Sequence, residues 1–165
     1  MAKKMTSLDE LYVDVLKDLY SAENQLVKAL PKMAKAAESA DLRRAFEEHL
    51  KQTKNHAERI ERIFSERGNG SPRGKKCAGM EGLIEEGKEI MQENMEAQVM
   101  DAGLIAAAQK VEHYEIASYG TARAWAQQMG YDRDADLLQQ TLEEESTANE
   151  KLTQIAESHV NVQAR

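Results

Sequence analysis

Apolar residues recur every three or four positions through four long stretches of this chain, and a single cluster of strong helix breakers interrupts them. That 3.6-residue period commits each stretch to an amphipathic α-helix, because a strand would need alternation at every second position. The first stretch opens at Ser7, with Glu10 three residues on in capping-box position, and carries Leu8, Leu11, Tyr12, Val15, Leu19, Ala22, Leu26, Leu30 and Met33. Pro31 lies inside it, where a missing N–H and a clash with the preceding turn predict a kink near Val27. After the short break Glu38-Ser39-Ala40-Asp41, a second stripe runs Leu42, Phe46, His49, Thr53, His56, Ile60 and Ile63. So short a link makes the first two helices antiparallel.

The breakers are gathered in Arg67-Gly68-Asn69-Gly70-Ser71-Pro72-Arg73-Gly74, and a modest helix follows from about Met80 to Met95. This segment is expected to be a crossover, not a domain boundary. A third long helix, about Val99 to Gln128, places Leu104, Ala108, Val111, Glu112, Glu115, Tyr119, Ala122 and Trp125 on one stripe. Gly130-Tyr131-Asp132 ends it with a C-terminal glycine and a fresh N-cap. The fourth helix carries Ala135, Leu138, Leu142, Glu145, Ala148, Leu152 and Ile155, and Val160 to Arg165 reads as a polar tail. With 165 residues, one domain over 1–165 is the default. The expected fold is all-α, with helices at about 7–37, 41–66, 80–95, 99–128 and 133–158. It is a four-helix bundle with one long crossover containing a short extra helix, which is the connectivity of ferritin-like bundles.

Charge narrows the partners. A net charge of -7 supplies no basic face for phosphate backbones, so nucleic acid is not an expected partner. No stretch approaches the roughly 20 apolar residues of a membrane span, and Met1 to Ser7 lacks an apolar leader core. A cytoplasmic location without membrane attachment is expected. Cys77 is the only cysteine, which rules out an intrachain disulfide and fits a reducing compartment; its place in a loop suggests no special role. Phosphate-binding glycine loops, paired cysteines and nucleophile signatures are all missing from the sequence.

Several carboxylates occupy the wrong face of their helices. An isolated buried carboxylate is strongly unfavourable unless it is paired, protonated or metal-bound. Yet Glu23 sits between Leu19 and Leu26, Glu112 and Glu115 lie between Ala108 and Tyr119, and Glu145 lies between Leu142 and Leu152. Their heights also agree. If helices one and two turn near residue 40, Glu23 is level with His56; if three and four turn near residue 131, Glu115 faces Glu145. Glu23, His56, Glu112, Glu115 and Glu145 are therefore candidate ligands in one mid-bundle layer for a pair of iron or manganese ions. The usual Glu-x-x-His motif is absent: helix two offers Thr53-x-x-His56 and helix four Glu145-x-x-Ala148, which leaves the set short of ligands. Gln52, Thr53, His113 and Glu144 are candidate substitutes or orienting partners. The plain alternative has each glutamate snorkelling at a stripe edge and each histidine bonded to a carboxylate in the core. Glu143 to Glu145 stand in a row, so the inward-facing one is open by a residue.

Longer segments carry a family likeness. Leu19-Tyr20-Ser21-Ala22-Glu23-Asn24-Gln25-Leu26, Cys77-Ala78-Gly79-Met80-Glu81-Gly82-Leu83-Ile84-Glu85-Glu86, the run from Asp101 to Thr121 and Thr141-Leu142-Glu143-Glu144-Glu145 resemble the YciE/YciF family of bacterial ferritin-like stress proteins, more nearly its YciF branch. The resemblance spans nearly the whole chain. It implies a ferritin-like bundle, a homodimer, a link to bacterial stress responses and a core like that of rubrerythrin-type di-iron proteins, without a known reaction. In the family pattern Glu23, His49, Thr53, Glu112, His113, Glu115 and the helix-four glutamates match, whereas glutamine often stands where this chain has His56. That raises His49, although the height argument puts it about two turns from Glu23. Two functions follow: a metal protein reacting with peroxide or oxygen, or a non-catalytic structural or interaction protein with a metal-free polar core. An iron-storage cage ranks last, since it needs further symmetric interfaces.

Overall fold

The computed structural model describes residues 4–165; Met1 to Lys3, part of the segment read above as lacking an apolar leader core, lie outside the described residues. Helices follow in the order α1 (Leu8–Ala36), α2 (Ala40–Arg67), α3 (Ala78–Gln92), α4 (Ala97–Gln128) and α5 (Asp132–Ile155). Their ends carry the local chemistry that stops them. The Ser7 hydroxyl accepts from Glu10 N–H at 3.2 Å while the Glu10 carboxylate reaches back to Thr6 N–H at 2.7 Å. Gly68 closes α2 at φ 66°, a left-handed conformation that a Cβ would strain. α1 continues through Pro31 to Ala36.

The four long helices form the bundle, α1 packing on α2 and α4, and α5 packing on α4 and α2. Direction is set by Asp101, near the start of α4. Its buried carboxylate accepts from Glu38 N–H at 2.9 Å and Ser39 N–H at 2.8 Å, in the turn between α1 and α2. α4 therefore starts at the end where α2 also starts, and the two run parallel. Residues 68–96 must climb the full height of the bundle to allow this, which is why the crossover is long. Replacing Asp101 by alanine leaves two turn N–H groups without their charged acceptor and is expected to lower stability by ~2–3 kcal/mol. For a chain of this length that is a fall in Tm of roughly 5–10 °C. Calorimetry showing no fall would mean that the carboxylate does not hold the turn.

At the opposite end Arg67 ties three helices. Its guanidinium lies 3.8 Å from the centroid of Tyr131, bonds Asp9 at 2.6 Å and reaches Asp134 at 3.4 Å. Tyr12 and Tyr131 donate to Asp134 and Asp9 in turn. The apolar core divides into two clusters, one around Leu26, Leu42, Phe46, Met80, Leu104 and Leu152, the other around Tyr12, Leu16, Ile60, Ile63, Tyr119 and Leu138. Between them lies a polar slab.

Two expectations change here. The C-terminal residues from Asn161 on are largely exposed, but the tail is wound and anchored: the chain passes through a wider π turn at Ala156–Val160 into a short helix at Asn161–Gln163, and Val160 is buried in the first cluster. A single Val in a polar run is too weak a periodic signal to extend a helix from sequence. Nor is Cys77 an incidental loop residue. It caps α3, its buried thiol donates to Asp18 at 3.0 Å and lies 3.0 Å from the Tyr114 hydroxyl, and it accepts from Met80 N–H. Burial pushes this thiol up, so it stays neutral. Gly79 permits the approach, because a Cβ there would stand 2.8 Å from the Tyr114 ring.

Candidate metal centre

Every long helix sends at least one polar side chain into the slab: Glu23 from α1, His49, Thr53 and His56 from α2, Glu112 and Glu115 from α4, Glu145 from α5. They sit there because each occupies a core position of its own apolar stripe, so that packing the stripes buries them. Two groups form. Glu23, His56 and Glu145 can offer one ligand atom each within 4.8 Å of one another, and so can His49, Glu112, Glu115 and Glu145. Glu145 belongs to both.

Both imidazoles are held in the same way. His56 places Nε2 2.7 Å from the Glu144 carboxylate, which Arg59 grips with both terminal nitrogens at 2.8 and 2.9 Å. Arg59 keeps that carboxylate below its usual range, so it is charged and accepts the Nε2 proton. His56 Nδ1 is then left facing Glu145 at 2.9 Å and Glu23 at 3.5 Å, neither aligned as a hydrogen bond. His49 places Nδ1 3.2 Å from the Gln52 side-chain oxygen, leaving Nε2 3.3 Å from Glu112 and 3.5 Å from Glu145. An imidazole whose outer nitrogen is tied to an acceptor and whose inner nitrogen is bare is the arrangement of a metal ligand.

The carboxylates are poorly satisfied by the protein alone. Among buried atoms without a hydrogen-bond partner are Glu23 Oε2, Glu112 Oε2, both oxygens of Glu115 and both of Glu145, together with the two inner imidazole nitrogens. Among the described residues Glu23 Oε1 does have a donor, the buried Tyr119 hydroxyl. Burial first, then the charges of Glu145, Glu23 and Glu112, pushes Glu115 well above the ordinary carboxylate range. Glu145 is raised likewise by burial, then by Glu112 and Glu23. Burial pulls His56 down, but the Glu23 carboxylate beside it, with Glu115 and Glu144, outweighs that and leaves the imidazole above its ordinary value. A bound cation would relieve all three conflicts at once. The donor set, carboxylate oxygen and imidazole nitrogen, suits iron or manganese.

The structure brings together all of Glu23, His56, Glu112, Glu115 and Glu145, and resolves the row in α5 in favour of Glu145. Glu143 is exposed and bonded to Gln139, while Glu144 holds His56 from outside. His113 is not part of the slab: it is exposed, with its ring turned back to the Gln109 carbonyl at 2.8 Å. Thr53 spends its hydroxyl on the His49 carbonyl at 2.9 Å. His49 is the addition, and the height argument passed over it because it assumed a single layer. Seven residues of helix separate His49 from His56 by ~10 Å of rise, but their rings converge to 6.2 Å between centroids. The site has two tiers, and the signal for the second was the shared stripe position. Tyr119 and Arg59 had no signal beyond their periodicity.

Known proteins match nearly the whole length of this chain. The model of a family described as a domain of unknown function, DUF892, matches residues 7–165. Protein YciF of Escherichia coli (strain K12) is 46% identical over 160 residues, covering 97% of this chain and 96% of that protein. The crystal structure of the E. coli stress protein YciF superposes with a TM-score of 0.91 at 46% identity, covering 95% of this chain and 99% of that one. YcfI from Rhodopseudomonas palustris gives a TM-score of 0.89 at 40% identity, covering 93% and 97%.

Proposed function

The chain belongs to the DUF892 family, and from its polar slab we propose that it is a ferritin-like stress-response protein that binds two iron or manganese ions and reacts with peroxide or oxygen. The carrying observation is the pair of buried imidazoles with outer nitrogens tied and inner nitrogens bare, facing carboxylate oxygens that have no donor. Glu23 and His56 would hold one ion, His49, Glu112 and Glu115 the other, and Glu145 would serve both. Such a pair supplies Lewis-acid and redox chemistry toward a small oxidant. The protein's own part is to hold the ligands, orient His56 through Glu144 and Arg59, and keep water out with the apolar clusters on either side. The similarity to a protein described as a stress protein supports the stress role. Among the described residues no helix is long and apolar enough to cross a membrane; the proposal takes the protein to be a cytoplasmic homodimer.

A metal-free polar core is the second reading, favoured by the raised Glu115 and Glu145, which in their protonated forms could share hydrogens across the slab. Metal analysis separates the two. Protein loaded anaerobically with iron(II) or manganese(II) and desalted is expected to retain two ions per chain, one for each group. The Glu112→Ala/Glu115→Ala variant, stripped of half the His49 group, is expected to retain one. No stoichiometric metal in the unaltered protein would establish the polar core instead.

A further inference from the structure

The slab is closed on one side and approachable on the other. Glu23, His56, Glu115 and Glu145 are 0% exposed, whereas His49 and Glu112 keep 6% and 2%. Behind Glu23 and His56 stand Tyr119, the Arg59–Glu144 pair and the cluster containing Leu19 and Ile60. His49 and Glu112, by contrast, line a cleft of about 200 Å³ between α2 and α5, walled by Phe46, Ala148 and Leu152. Each brings to it a buried atom without a partner, His49 Nε2 and Glu112 Oε2. Across the mouth Lys151 of α5 pairs with Glu48 of α2, both well exposed.

Resting on the metal-centre reading, we propose that the two ion positions are inequivalent. The His49–Glu112–Glu115 position is the exchangeable one, and the α2–α5 cleft is its access route for a divalent cation and for a small oxidant. The Glu23–His56 position is sealed and turns over slowly. The cleft is smaller than the roughly 300–1,000 Å³ of sites for drug-sized ligands, so it selects reactants of a few atoms. The Lys151–Glu48 pair spans the opening and must part or be bypassed, while Ala148 leaves the cleft clear because its side chain is a single methyl.

The test is release of manganese(II) from anaerobically loaded protein into excess chelator, followed by metal analysis over time. Two phases are expected, one ion leaving fast and one slowly. His49→Ala should abolish the fast phase and keep the slow ion. Ala148→Phe should slow the fast phase about tenfold, ~1.4 kcal/mol of added barrier, without altering the slow one. Lys151→Ala, which removes only a well-exposed surface ion pair, should speed the fast phase severalfold and carries the test alone if the phenylalanine variant does not fold. Two ions leaving at one rate, or a fast phase indifferent to both cleft variants, overturns the inequivalence while leaving the metal centre standing. Failure to bind any ion overturns both.

Discussion

Glu145→Ala is expected to empty the whole centre, because its carboxylate is the one member common to both groups. Retained metal should fall from two ions per chain to none, whereas Glu23→Ala or His49→Ala, each touching one group, should leave one. A Glu145→Ala protein that still holds two ions would show that the α5 carboxylate is not shared. The apoprotein responds in the opposite sense. Glu115 is 0% exposed and neither of its oxygens has a donor, so Glu115→Gln removes the cost of holding a carboxyl group neutral in the folded state and supplies an N–H₂ to carboxylates that lack one. We expect the metal-free variant to be ~1–3 kcal/mol more stable, raising Tm by roughly 3–10 °C, while its metal binding weakens. A residue that destabilises the empty fold and stabilises the loaded one is one kept for binding. A fall in the Tm of the metal-free variant would mean that Glu115 already has partners in the apoprotein.

Stability of the metal-free protein should decline as pH rises above the ordinary carboxylate value of 4.5, the reverse of the usual acid sensitivity. Glu115 and Glu145 have folded-state values raised by burial and by the neighbouring carboxylates, Glu145, Glu23 and Glu112 for the first and Glu112 and Glu23 for the second, so the native state binds more protons than the unfolded chain. Their contribution is fully present below pH 4.5 and is lost as pH climbs through the raised values. His56, also raised, acts in the same direction from its ordinary 6.5 upward. Glu144, lowered by Arg59, acts in a separate window, losing its contribution only below 4.5. Metal substitutes for those protons, so the stabilisation it brings should grow with pH. At a free concentration a thousandfold above Kd the gain is ~4 kcal/mol, on the order of 10 °C in Tm. Calorimetry with and without manganese(II) from pH 5 to 8 checks this: a metal-induced shift constant across that range would show that no proton leaves the slab on binding.

Helix order, hairpins and crossover were legible because each depends on local pattern. Ser7 and Glu10 mark a start, Gly68 and Gly130 mark stops, and the stripes mark the faces that must be covered. The glutamates of the site were legible for the same reason, since a charge on an apolar stripe contradicts its neighbours. The orienting contacts were not. Arg59 lies three residues from His56 but meets Glu144, 85 residues away in sequence, and no spacing rule connects them. Asp101 stands in the sequence only as the start of a family-like run within the third helix, yet it is the tie between the start of α4 and the α1–α2 turn.

By itself, then, the sequence determined that four amphipathic helices bring Glu23, His56, Glu112, Glu115 and Glu145 to one interior, because periodicity decides which face of a helix leaves water. The tertiary structure alone decided that Glu145 and not its two neighbours faces inward, that His49 joins the site and His113 leaves it, and that the site has two tiers. The physical reason is that height along a bundle is set by how far packed helices slide past one another and by how far each side chain leans. Between His49 and His56 the lean alone closes ~10 Å of rise to 6.2 Å between ring centroids, a displacement comparable to a helical turn.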